Sequence, residues 1–401
     1  MNITVFPAPL RGQVTVPPSK SHVHRLLIAA ALCPDAQQTA IRCPVENEDI
    51  AATIYCLRQF GVNIAREGDQ LRLSGPVRFG GDPRLDCGES GSTLRFLLPL
   101  CAIGDARVTL TGRGRLPERP NAPLLNALRA HGAKIHGDFL PLTVLGGLQP
   151  GAYSLPGNVS SQYFSGLLIA LPLLRGDSEL TFSSPLESLP YVDLTLAVLR
   201  QFGIRVEPIE NGWHVPGRQS YASPGSITAE GDWSAAAFWL GANHLRSAVA
   251  VQGLDPASCQ GDRAVEALLN RVGGEIDVTQ TPDLLPILAA VAAATPGRET
   301  RLTGAARLRL KESDRLAAMA ETIRALGGCA EELPDGLIIQ GTALRGGTVD
   351  GQNDHRVVMS AAIAATACQG PVTIQGAEAV DKSYPDFWKA FVALGGQIHV
   401  G

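Results

Sequence analysis

Seven cations stand in short polar runs where apolar helices begin: Lys20, Arg95, Arg119, Lys311, Arg315, Arg356 and Lys382. Hydroxyls and acids lie between them. Ammonium and guanidinium groups in such company suit a ligand bearing several anionic groups, because carboxylate and phosphate oxygens take charge-assisted hydrogen bonds. In Ser19-Lys20-Ser21-His22-Val23-His24-Arg25, which leads into apolar residues 26–32, the cations oppose the helix dipole until an anion arrives. Cys87-Gly88-Glu89-Ser90-Gly91-Ser92-Thr93 reads as a Gly/Ser turn opening a helix, with free N–H groups that could face a phosphate or carboxylate. Leu116-Pro117-Glu118-Arg119-Pro120 holds an Arg between prolines on stiff backbone. Asn158-Val159-Ser160-Ser161-Gln162 offers more polar groups than one N-cap needs.

The C-terminal half is more specific. Arg309-Leu310-Lys311-Glu312-Ser313-Asp314-Arg315 packs five charges into seven positions, and Asn353-Asp354-His355-Arg356 and Asp381-Lys382-Ser383-Tyr384-Pro385-Asp386 open two further helices. A solvated charge run explains any one of these. Three at similar helix starts, in a largely apolar half, describe a site. Within it Asp283, Glu312 and His355 are suited to proton transfer.

The elements that must position these residues announce themselves by repetition. Six phrases end an apolar helical run in Gly, at Gly61, Gly132, Gly203, Gly273, Gly327 and Gly395, and four of the five intervals are near seventy residues. A glycine there ends a helix in left-handed backbone, and strand-like sequence follows. The expected fold is therefore α/β, with six copies of one helix-and-strand unit. A chain of 401 residues exceeds one core, so two domains of three units each are expected. One takes residues 18–222 and the other residues 1–17 plus 223–401. The crossings fall at Val16-Pro17-Pro18 and Ser220-Tyr221-Ala222-Ser223-Pro224-Gly225. A ligand cleft is expected between the halves.

Apolar residues at 45% and charged residues at 18% suit wide buried faces, while a net charge of −4 and 5% aromatics argue against a nucleic-acid surface. The eight cysteines include no CxxC pair, which points to reduced thiols and no metal site. The N-terminus lacks signal-peptide character, and the apolar stretches 26–32 and 285–294 are too short to span a bilayer. A cytoplasmic monomer acting on small molecules is expected, without nucleic-acid or membrane partners.

Ser19-Lys20-Ser21 with Arg25, Gly91 with Arg95, Glu118-Arg119-Pro120, Ser160-Ser161-Gln162, Pro282-Asp283, Lys311 to Arg315, Asn353 to Arg356 and Lys382 to Asp386 occur in this order. Together they resemble the motif set of the 5-enolpyruvylshikimate-3-phosphate synthase family, over residues 19 to 386. The resemblance implies a two-domain enolpyruvyl-transferase-like fold, each domain built of three βαβαββ repeats. It also implies transfer of the enolpyruvyl group of phosphoenolpyruvate to the 5-hydroxyl of shikimate 3-phosphate, with release of phosphate and without cofactor. Lys20, Ser21, Arg25, Ser160, Ser161, Gln162, Ser188, Tyr191, Asp283 and Lys311 would then bind shikimate 3-phosphate. Lys20, Gly91, Arg119, Gln162, Arg315, Arg356 and Lys382 would bind phosphoenolpyruvate. Asp283, Glu312, Lys20, His355 and Lys382 would serve catalysis, with Asp283 accepting the hydroxyl proton. Glu89-Ser90, Phe96 and Arg307 depart from the pattern of better-known members. The alternatives are the related transferase acting on UDP-N-acetylglucosamine, whose loop Cys is missing from Gly112-Arg113-Gly114-Arg115-Leu116, and a non-catalytic anion binder on the same repeat.

Overall fold

All six glycines of the repeated phrase adopt left-handed backbone, with φ of 83° at Gly61, 90° at Gly132, 75° at Gly203, 98° at Gly273, 80° at Gly327 and 88° at Gly395. At five of them two successive amides fold back on the last helical turn, as Gly61 N to Arg58 O (2.9 Å) and Val62 N to Leu57 O (3.3 Å) do. That pairing satisfies carbonyls that a helix end would leave bare. Gly273 differs, its N–H donating to Thr300 Oγ1 at 2.9 Å.

The computed structural model describes residues 1–34 and 38–401. The chain divides into two units, Lys20–Ala229 and Met1–Ser19 with Glu230–Gly401. The described residues form five four-stranded sheets and one two-stranded sheet. The middle repeat of the first unit shows the pattern. Strand Arg84–Asp86, helix Gly91–Cys101, strand Val108–Thr111, helix Ala122–Ala130 and the hairpin Ile135–His136 with Leu142–Val144 follow one another. Leu85 pairs in parallel with Leu110, which pairs antiparallel with Leu142. This is the expected βαβαββ order.

Two sheets are completed by strands from far along the chain. Ser226–Thr228 pairs in parallel with Thr39–Arg42, Ser226 opposite Ala40. The sequence reading put residues 223–229 in the other half; this pairing places the crossing at Ala229 and Glu230, because the first repeat lacks a first strand of its own. Asn2–Phe6 likewise inserts between Val372–Gln375 and Gln397–Val400.

Each unit has its own core. In the first, Leu94, Leu97 and Leu98 of helix Gly91–Cys101 and Leu167 and Leu168 of helix Ser161–Ala170 are fully buried, each contributing roughly 2 kcal/mol. These helices are rigid mounts, and their polar first turns carry the candidate site. Among the described residues no helix is long and apolar enough to cross a membrane, and no three His, Cys, Asp or Glu side chains gather to hold a metal ion.

Candidate active site

In the unit Lys20–Ala229, Lys20 begins helix Lys20–Ala31 and its Nζ donates to Asp49 Oδ2 at 2.6 Å. Asp49 comes from the first turn of helix Glu48–Gln59, which Asn47 caps. Arg25 is 2% exposed. Its Nε donates to Thr195 Oγ1 (2.7 Å), its Nη1 to the Ser21 carbonyl (2.6 Å), and its Nη2 to the Tyr191 carbonyl (2.8 Å) and Ser165 Oγ (3.2 Å). Arg25 therefore fixes Ser21 against Tyr191. Ser188, whose carbonyl accepts from Tyr191 N at 3.1 Å, has φ of 56°, a conformation that costs energy outside glycine and often marks function.

Arg119 closes the turn Leu116–Glu118 and is 5% exposed. A Cβ on Gly91 would lie 2.9 Å from its Nη1 and 3.1 Å from its Nη2, so the missing side chain makes room for the guanidinium. Arg95, counted among the ligand cations in the sequence, is committed to the protein. Its Nε donates to Asn121 Oδ1 (3.1 Å), its Nη2 to the Pro120 carbonyl (3.1 Å) and its Nη1 to Gln162 Oε1 (2.7 Å). It thus holds the Arg119 segment and Gln162 together. Gln162 Nε2 donates to Ser92 Oγ at 2.9 Å. Ser160 caps helix Ser161–Ala170, accepting from Gln162 N, which leaves Ser161 beyond the needs of the cap.

In the other unit Arg315, 1% exposed, is the hub. Its Nη1 donates to Asp283 Oδ1 (2.9 Å), its Nη2 to Glu312 Oε2 (2.8 Å) and its Nε to Asp354 Oδ2 (2.8 Å). Arg356 Nη2 donates to Asp283 Oδ2 at 2.9 Å. Asp354 also caps helix His355–Ala365 through Arg356 N (2.9 Å) and accepts from Ser313 Oγ (3.0 Å). Buried His355 is the first residue of that helix. Before it, Gln352 and Asn353 are both left-handed, with φ of 49° and 52°, and Lys382 Nζ donates to the Asn353 carbonyl at 2.7 Å. Asp283, Glu312, Asp354, Arg315 and Arg356 are thus joined in one network, and Lys382 meets the strained turn that leads into His355.

The electrostatics are lopsided. Burial acts to raise the Asp283 pKa, but the charges of Arg356, Lys311 and Arg315 outweigh it and hold the carboxyl far below the usual carboxylate range. Burial pushes the half-buried Lys311 ammonium down to about 8, with Asp283 and Glu312 opposing and Arg315 and Arg307 assisting. Buried Asp262 is raised to about 6 by burial and then by the Asp283 charge.

Sequence reasoning missed several of these partners. Asp354 lies inside a recognised motif, yet only the fold shows that it binds Arg315. Asp49 carried no signal beyond an acidic first turn, and Thr195, Ser165 and Asn121 carried none. Arg307, left outside the site, is buried and donates to the Thr279 carbonyl at 2.6 Å.

Known proteins have a similar sequence and fold. The sequence profile described as EPSP synthase (3-phosphoshikimate 1-carboxyvinyltransferase) matches residues 6–281 and 273–391. A 3-phosphoshikimate 1-carboxyvinyltransferase of Clostridium novyi is 40% identical over 99% of this chain and 98% of its own. One from Halobacterium salinarum is 39% identical over 98% of this chain and 99% of its own. The EPSP synthase structure from Acinetobacter baumannii superposes with a TM-score of 0.81 at 26% identity, covering 100% of both chains. The enolpyruvyl transferase NikO of Streptomyces tendae shares the fold, with a TM-score of 0.77 at 20% identity over 99% of this chain and 98% of its own. With a profile match and relatives of this identity spanning nearly its whole length, the chain belongs to the EPSP synthase (3-phosphoshikimate 1-carboxyvinyltransferase) family.

Proposed function

We propose that this chain transfers the enolpyruvyl group of phosphoenolpyruvate to the 5-hydroxyl of shikimate 3-phosphate and releases phosphate, acting as a cytoplasmic monomer. The observation that carries the chemistry is the Arg315 hub, with one carboxylate, Asp283, held between two guanidiniums and Glu312 and Lys311 beside it. The names of the relatives favour this acceptor over UDP-N-acetylglucosamine.

In this reading Asp283 takes the 5-hydroxyl proton as the oxygen bonds to C2 of phosphoenolpyruvate, and an acid protonates the methylene carbon. The resulting tetrahedral intermediate loses that carbon's proton as the C2–O bond to phosphate breaks. Glu312, with Lys20, Lys382 or His355, handles the carbon proton and the leaving phosphate. Arg119, Arg315, Arg356, Lys20 and Lys382, with Gly91 and Gln162, take the phosphoenolpyruvate anions. Ser21 and Arg25 take the shikimate 3-phosphate carboxylate, and Ser160, Ser161 and Ser188 its phosphate, with Gln162, Tyr191 and Lys311 around the ring. Paired as it is with Arg315 and Arg356, Asp283 is a poor base. Substrate anions that draw those guanidiniums away restore its basicity, so proton abstraction awaits the second substrate.

Phosphate release is the test. It should appear only when both substrates are present, and its absence with both, or its appearance with phosphoenolpyruvate alone, would sink the proposal.

A further inference from the structure

A chain of buried side-chain hydrogen bonds runs through the first unit and has no part in the chemistry just described. His24 Nδ1 lies 2.8 Å from Thr53 Oγ1, and Thr53 Oγ1 lies 2.7 Å from Thr93 Oγ1. Thr93 Oγ1 in turn donates to Ser90 Oγ at 2.8 Å and approaches the Asp49 carbonyl at 3.4 Å. His24, Thr53, Thr93 and Ser90 are all fully buried. A carbonyl can only accept, so with the Thr93 hydrogen on the Asp49 and Ser90 side, Thr53 donates to Thr93 and His24 Nδ1 to Thr53. Burial and the charges of Lys20 and Arg25 favour a neutral His24.

The two ends of the Thr93 contact belong to opposite sides of the phosphoenolpyruvate clamp. Asp49 holds Lys20 at 2.6 Å. Ser90 caps the helix that begins at Gly91, and Gly91 is the surface against which the Arg119 guanidinium lies. We infer that Thr93 is a positioning residue. Its hydroxyl, oriented by Thr53 and His24, sets the separation between the Lys20–Asp49 pair and the Gly91–Arg119 contact, and so tunes affinity for phosphoenolpyruvate rather than for shikimate 3-phosphate. The inference rests on the proposed function.

The test compares Thr93→Val, which keeps shape and removes the hydroxyl, with Thr93→Ser, which keeps the hydroxyl. Phosphate release is measured against each substrate in turn. Thr93→Val should raise the KM for phosphoenolpyruvate by roughly three- to tenfold, the range expected when one hydrogen bond is lost. The KM for shikimate 3-phosphate and kcat should stay within about twofold, and Thr93→Ser should return the KM to the wild-type value. Ser90→Ala removes the receiving oxygen, and with it the helix cap that this oxygen gives to Thr93 N. It should raise the same KM, and in the double variant the effect on KM should be smaller than the two single effects combined, because both break the Thr93–Ser90 hydroxyl contact. A Thr93→Val protein that melts lower but keeps its phosphoenolpyruvate KM overturns the inference, as does an equal rise in both KM values. Should Thr93→Val not fold, an unchanged KM in Ser90→Ala overturns it alone. A wild-type chain that releases no phosphate overturns the functional proposal and this inference with it.

Discussion

Asp283 follows Pro282 ahead of an apolar helix, a place where a carboxylate often serves only as a cap. Here its oxygens accept from Arg315 and Arg356. Asp283→Asn should therefore lower kcat by roughly a hundredfold or more, the usual worth of a positioned general base, while calorimetry still detects shikimate 3-phosphate binding. Turnover near wild type would shift the base role to Glu312 or His355. Lys311 gives a second reading at this scale. Its folded value of about 8 lies below the ordinary 10.5, so between these values the folded chain binds fewer protons than the unfolded one. This group's penalty on stability is thus full below about pH 8 and relieved as pH rises toward 10.5. Its charge, which the proposed site needs, is lost over the same window. The KM for shikimate 3-phosphate should rise above pH 8 by up to about tenfold per unit. In Lys311→Met it should be raised throughout, without that inflection. A wild-type KM flat from pH 7 to 9.5 would remove the Lys311 charge from binding.

The turn Leu116–Glu118 and the start of helix Gly91–Cys101 meet only because Gly91 has no side chain. Arg119→Ala should raise the phosphoenolpyruvate KM strongly and leave shikimate 3-phosphate affinity nearly intact, since a desolvated anion contact is lost. Gly91→Ala should move the same constant less, because its methyl displaces the guanidinium by tenths of an ångström without removing it. Calorimetry with each ligand checks both, and an equal fall in affinity for the two ligands would dissolve the proposed division of the site. What was legible in the sequence was likewise local. The helix-ending glycines could be read because left-handed backbone excludes most side chains within a few residues of chain. The cations could be read because they break an apolar pattern. The strand Ser226–Thr228 could not, since three residues completing a sheet begun near residue 39 leave no local periodicity. Nor could the commitment of Arg95 to Asn121 and Gln162, or of Arg315 to Asp354, because a cation reads the same whether its anion comes from a substrate or from a distant helix. Only packing decides between them.

The chain passes between its units at residues 19 and 20 and again at residues 229 and 230. Of the residues in the proposed site, Lys20, Arg119 and Gln162 belong to one unit, and Asp283, Lys311, Glu312, Arg315, Arg356 and Lys382 to the other. Shikimate 3-phosphate brings a phosphate and a carboxylate, and the proposed function, which assigns it residues of both units, predicts that the units close when it binds. Small-angle scattering should therefore show a smaller radius of gyration with shikimate 3-phosphate than without it. Inorganic phosphate, with a single anionic group, should leave most of the change undone. A radius unchanged by shikimate 3-phosphate, in a chain that calorimetry shows to be saturated, would mean that ligand binding is confined to one unit and that the two do not close on it.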